Sequence, residues 1–135
     1  MQMCQNSFLQ SNTKNLLDKI SNLFKKILPI YWAFLTYMLL RPGIENMELP
    51  FMFSGIDKIL HLFIFAMLGF CFMAALPKVK ILYYIYIMLI YALSTEIAQD
   101  EMNWGRSLEF MDLIADSLGL FFGYLAFIKL KQVTF

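Results

Sequence analysis

Charge is scarce in this chain. Only 16% of its 135 residues are Asp, Glu, Lys or Arg, whereas 60% are hydrophobic and the mean hydropathy is +0.62. A soluble domain carries roughly a quarter charged residues, so a water-facing shell cannot be assembled from this composition, and a bilayer is the expected partner. An excess of one sign is missing as well. Eleven basic and ten acidic residues leave a net charge of +1, which removes any global basic surface for nucleic acid. Cysteine occurs twice and histidine once. Cys4 lies in a polar N-terminal stretch and Cys71 in an apolar run, with neither a metal-ligand spacing nor a disulfide-rich context, so both are read as space-filling. Internal repeats and low-complexity segments are absent too.

What the chain has instead is four apolar segments, Leu23 to Leu40, Ile59 to Leu76, Ile81 to Gln99 and Met111 to Ile128. Each has about 18 residues, or roughly 27 Å of helix at 1.5 Å per residue, close to the thickness of the hydrocarbon layer. The first contains Lys25, Lys26 and Pro29. Lysines can snorkel, and proline is tolerated near a helix start. A cleaved leader is disfavoured, because Arg41-Pro42-Gly43 after Leu40 reads as a turn and not as a small-residue cleavage site. Leu16, Leu17, Ile20, Leu23, Phe24 and Ile27 recur at helical spacing, with Lys14, Asp18, Lys19, Lys25 and Lys26 around the other face. The expected architecture is therefore all-α: a polar, amphipathic surface helix over residues 1–22, then one domain of four transmembrane helices over 23–131.

Lysine placement gives an orientation. Lys14, Lys19, Lys25, Lys26, Lys78, Lys80, Lys129 and Lys131 fall on one side, and only Arg41, Lys58 and Arg106 on the other. The positive-inside rule puts both termini and the loop Pro77 to Lys80 in the cytoplasm, with Arg41 to Lys58 and Asp100 to Phe110 outside. Tyr83, Tyr84, Tyr86 and Trp104 are expected to anchor the chain at the interfaces.

Ionisable groups near a membrane interior are costly, so their positions are informative. Asp57, Lys58 and His61 open the second span, Glu96 and Gln99 close the third, and Asp112 and Asp116 open the fourth, with Arg106 in the preceding loop. Given the orientation, all fall within about two helical turns of the outer boundary. Asp57 and His61, Glu96 and Gln99, and Asp112 and Asp116 are spaced by three or four, so each pair shares a helix face. Ala115, Gly119 and Gly123 continue the last face with small residues, which let a neighbouring helix approach and turn the acids into the bundle.

The four acids exceed Lys58 and Arg106 by two formal charges, so the cluster needs a protonated acid, a charged His61, a cation or a cationic ligand. One reading is purely architectural, with boundary ion pairs and interhelical hydrogen bonds that fix register. A second is an anion site, since Lys58 and Arg106 suit a phosphate or carboxylate. His61 beside carboxylates also suits zinc or a hard divalent ion, but with a single histidine no metal or other cofactor is assigned. No charged residue occurs from Leu62 to Pro77, Ile81 to Thr95 or Ser117 to Ile128, which argues against a transporter.

The run Asp57-Lys58-Ile59-Leu60-His61, then Ser94-Thr95-Glu96-Ile97-Ala98-Gln99, then Arg106-Ser107, then Asp112-Leu113-Ile114-Ala115-Asp116-Ser117-Leu118-Gly119, resembles the VanZ-like family of small bacterial membrane proteins. The pattern is D-K-x-x-H, E-x-x-Q, R-S and D-x-x-A-[DN]-x-x-G in fixed order, over about residues 55 to 125. Asp116 stands where many relatives carry asparagine, and the loop Asp100 to Gly105 lacks a proline that relatives often place before the arginine. The resemblance implies a role in the cell envelope, because the family is named for a protein that raises resistance to the glycopeptide teicoplanin.

The expectation is thus an inner-membrane protein with an outward polar pocket of Asp57, Lys58, His61, Glu96, Gln99, Arg106, Asp112 and Asp116. The pocket would bind an envelope lipid or a cell-wall-directed glycopeptide. Two alternatives stay open: a membrane enzyme acting on a lipid-linked head group, with His61, Glu96 or Asp112 as acid or base, and an assembly subunit docking a partner protein.

Overall fold

A computed structural model describes residues 2–41, 55–102 and 110–134, with side chains for 11–41, 55, 56, 58–102 and 110–133. The described residues form four helices and no strand: α1 (Gln2–Leu40), α2 (Ile56–Ala75), α3 (Ile81–Glu101) and α4 (Phe110–Thr134). All four are long and apolar enough to cross a bilayer. The chain is a multi-pass membrane protein.

The amphipathic stretch and the first span are one helix, which runs through Pro29 without a break. Its 39 residues amount to about 58 Å, against a hydrocarbon layer of about 30 Å, so about half its length extends beyond the apolar layer. Gly55 precedes α2 with φ +110°, a backbone angle that L side chains rarely adopt, and its carbonyl accepts from Ile59 N at 3.3 Å. At the other end of α2, Leu76 N bonds Phe72 O at 2.9 Å and Pro77 follows, so the helix cannot continue. A turn closed by Val79 N to Leu76 O leads into α3.

α2 and α4 run parallel and share the most extensive contact in the bundle. Glycine is the reason. A Cβ at Gly119 would collide with the Leu62 carbonyl, and one at Gly123 with the Ala66 carbonyl. The small-residue face expected from spacing thus meets the backbone of α2 directly. α1 and α3 run antiparallel to this pair. Trp32 of α1 sets its ring edge-on to Phe72 and Tyr91, while Phe65, Leu68, Met88, Leu120 and Phe127 fill the centre. Cys71 is buried as well.

Polar groups tie α1 to its neighbours. Ser21 Oγ donates to Ala75 O at 2.7 Å, satisfying a terminal carbonyl of α2, and Thr36 Oγ1 bonds the Tyr91 hydroxyl at 2.9 Å. Ile30, Phe34, Phe63, Met67, Leu82, Ile90, Phe121 and Phe122 face outward as a lipid-facing girdle.

One expected interface anchor belongs elsewhere. Tyr83 and Tyr86 are exposed, but Tyr84 is buried and its hydroxyl donates to Leu120 O at 2.6 Å. It lies on the buried face of α3 with Met88, Ala92, Thr95, Glu96 and Gln99, a helical spacing that carries it into the bundle. A Cβ on Gly69 would collide with this hydroxyl, so Tyr84 joins α3 to both α2 and α4. Trp104 lies outside the described residues.

Because Gly119 abuts backbone and not a movable side chain, Gly119→Leu should destabilise the folded protein by at least about 2 kcal/mol. Thermal unfolding in detergent should show a clear fall in Tm, whereas Ser94→Ala, on the exposed face of α3, should leave Tm within a degree or two.

Candidate functional site

The antiparallel path of the chain brings the starts of α2 and α4 to the same end of the bundle as the finishes of α1 and α3. Asp112 lies in the first turn of α4. His61 and Asp116 lie about 8 to 9 Å along their helices from those starts, so the polar layer is shallow relative to the membrane midplane.

His61 Nδ1 is 2.9 Å from Asp116 Oδ1 and 4.0 Å from Glu96 Oε1. The three residues come from α2, α4 and α3, and they are 4%, 0% and 2% exposed, respectively. The imidazole lies stacked over Phe65, with ring centroids 6.4 Å apart and planes inclined by 16°. With Nδ1 carrying the proton, His61 donates to Asp116, which fixes both the ring's orientation and its tautomer. The second oxygen of Asp116, Oδ2, is buried with no hydrogen-bond partner among the described residues.

A more exposed pair sits beside this triad. Lys58 Nζ lies 3.4 Å from Asp112 Oδ1, and the lysine side chain is 39% exposed while that of Asp112 is 10% exposed. Asp112 gains further from its place in the first turn of α4, where the helix dipole favours negative charge. The arrangement grades from a wet cation at the rim to dry acids and an imidazole inside. Electrostatic interactions strengthen along that path as the local dielectric falls.

Lys58, His61, Glu96, Asp112 and Asp116 are therefore gathered at one end, as their spacing implied. Gln99 is buried in the same layer, but its amide Nε2 donates to Leu39 O at 2.7 Å, satisfying one of the last carbonyls of α1. It joins α3 to α1. The Asp57 side chain and all of Arg106 lie outside the described residues. Phe65 and the Leu39 carbonyl were not among the expected site groups. The four-residue spacing between His61 and Phe65 is a signal that could have found the former, whereas a backbone carbonyl leaves no mark in a sequence.

The donor atoms of His61, Glu96 and Asp116 all lie within 4.8 Å of one another, close enough to hold a metal ion. The same geometry can also move a proton between an oriented imidazole and a carboxylate.

The VanZ/LLP1 family model matches residues 2–132. The chain belongs to the VanZ/LLP1 family. No curated protein and no solved structure matches it. The VanZ/LLP1 match spans all four helices, including the part of α1 before residue 23, so that polar stretch belongs to the family's matched region.

Removing the imidazole leaves Asp116 buried without its donor, so His61→Ala should cost about 3 to 5 kcal/mol. The pair His61→Leu and Asp116→Leu should together cost less than the sum of the single changes. A double-mutant cycle on unfolding in detergent should return a coupling of about 1 kcal/mol or more.

Proposed function

We propose that this chain sits in the bacterial plasma membrane with both termini in the cytoplasm, and that its outward polar cluster binds an anionic envelope head group or a cell-wall-directed glycopeptide. The observation that carries this reading is the graded site itself. Lys58 at the exposed rim presents an ammonium to an incoming anion, and the buried His61, Asp116 and Glu96 behind it offer a shaped polar floor. Family membership and the lysine asymmetry between loops support the placement, and the family supports a contribution to teicoplanin resistance. Depth also fits a surface ligand, because charged residues are absent from the central parts of the last three spans.

One observation favours a second reading. An Asp116-oriented imidazole is the arrangement of a general base whose other nitrogen, Nε2, takes a proton while the carboxylate stabilises the resulting cation. In that case His61 would act on a head group held at Lys58, with Glu96 completing the proton balance.

Expression in a teicoplanin-susceptible host tests the binding reading. The wild-type chain should lower susceptibility, and Lys58→Ala should abolish much of that protection. Lys58→Ala should cost about 1 to 2 kcal/mol in stability, because the ammonium is 39% exposed while its Asp112 partner is buried. Unchanged susceptibility with the wild-type chain would remove the resistance role. The catalytic reading requires instead that His61→Gln stop modification of a lipid-linked head group in membranes that express the protein.

A further inference from the structure

A head group at the rim leaves the dry donors behind it unexplained. We propose that His61, Glu96 and Asp116 bind one divalent transition-metal ion, of the Mn2+ to Zn2+ range, between α2, α3 and α4. The inference goes beyond the head-group reading and does not depend on it.

Three observations carry it. First, the donors converge: 2.9 Å separates His61 Nδ1 from Asp116 Oδ1 and 4.0 Å separates it from Glu96 Oε1, and one donor from each residue lies within 4.8 Å of the others. Two ligands about 2.1 Å from an ion stand about 3.0 Å apart at a right angle and about 3.4 Å apart at the tetrahedral angle. An ion could therefore replace the proton shared by His61 and Asp116, seated beside the line that joins them, once the widest donor separation closes by about 1 to 2 Å, chiefly through the long Glu96 side chain. Second, Asp116 Oδ2 is sealed from solvent without a hydrogen-bond partner among the described residues. Buried charged oxygens are normally paired or coordinate a metal. Third, the donor set suits a divalent ion, since two carboxylates and a neutral imidazole carry a formal charge of minus two.

The donor set selects the kind of ion. Imidazole favours zinc, iron, nickel and copper, and carboxylates favour manganese, magnesium and calcium, so one nitrogen with two carboxylates suits the overlap of the two groups. Three protein ligands leave at least one coordination position open, as in metal sites that take a water or an anionic oxygen.

The experiment uses the untagged full-length chain in detergent micelles, stripped with chelator and then dialysed against Mn2+ or Zn2+ alone. We expect one ion per chain and, in the Mn2+ form, pulsed electron paramagnetic resonance should show coupling to an imidazole nitrogen. Glu96→Gln and Asp116→Asn should each weaken binding by at least about tenfold, since even groups one step removed from a metal cost that much. Asp100→Asn, on the exposed face of α3, should bind as wild type. Failure to retain an ion, an ion without nitrogen coupling, or unaltered binding by both variants would overturn the proposal. If the variants do not fold, the wild-type resonance spectrum still decides. A null result here alongside teicoplanin protection would refute the metal and leave the head-group reading standing.

Discussion

The hydrogen bond from His61 to Asp116 can form only because α2 and α4 touch. Gly119 and Gly123 present no side chain to the Leu62 and Ala66 carbonyls, and their close approach sets the register in which a residue one turn before Gly119 meets a residue one position before Leu62. A carboxylate carried this far into an apolar bundle is costly unless something on another helix meets it. The fold supplies that partner across the tightest contact it has. Glu96 then enters the same layer from α3, which Tyr84 fastens to α4 through the Leu120 carbonyl and Gln99 fastens to α1 through the Leu39 carbonyl.

Much of this was legible in the sequence, and the limit is a physical one. Hydropathy and length locate the spans, because a bilayer demands about 20 apolar residues and α2, α3 and α4 provide them within three residues of the segments read from the chain, except that α4 runs six residues past Ile128 to Thr134. Spacing by three and four shows that Asp112 and Asp116 share a face, and Gly119 and Gly123 show which way that face points. Spacing does not give the rotation of one helix against another. Hence His61 could be placed in the right layer but not matched to Asp116. Tyr84 looked like its neighbours Tyr83 and Tyr86, although a step of four from Met88 puts it inside. The amphipathic pattern before residue 23 reads as a surface helix ahead of the first span, and the structure carries both in one helix through Pro29, since neighbouring helices and local adjustment can absorb proline's missing donor in a membrane span.

The polar layer has a functional logic of its own. Its depth of about two turns keeps it within reach of ligands at the membrane surface, while the core beneath it, filled by Phe65, Leu68, Phe72 and Met88, closes the way inward. A site of this kind can hold, orient or modify a group presented at the surface. Capture of an anion, general-base chemistry and metal binding all draw on the same convergence of α2, α3 and α4, and they differ in the partner that each gives to Asp116 Oδ2.

That convergence can be measured directly by short-span crosslinking. In a background without native cysteines, Lys58→Cys with Asp112→Cys places two thiols on α2 and α4 where the native ammonium and carboxylate stand 3.4 Å apart. A membrane-impermeant bifunctional thiol reagent added outside intact cells should join them rapidly, and a control pair moving the second cysteine to the exposed Leu118 should react far more slowly. Equal rates for the two pairs, or linkage only when the reagent reaches the cytoplasmic side, would show that the helix starts do not meet at an outward-facing polar layer.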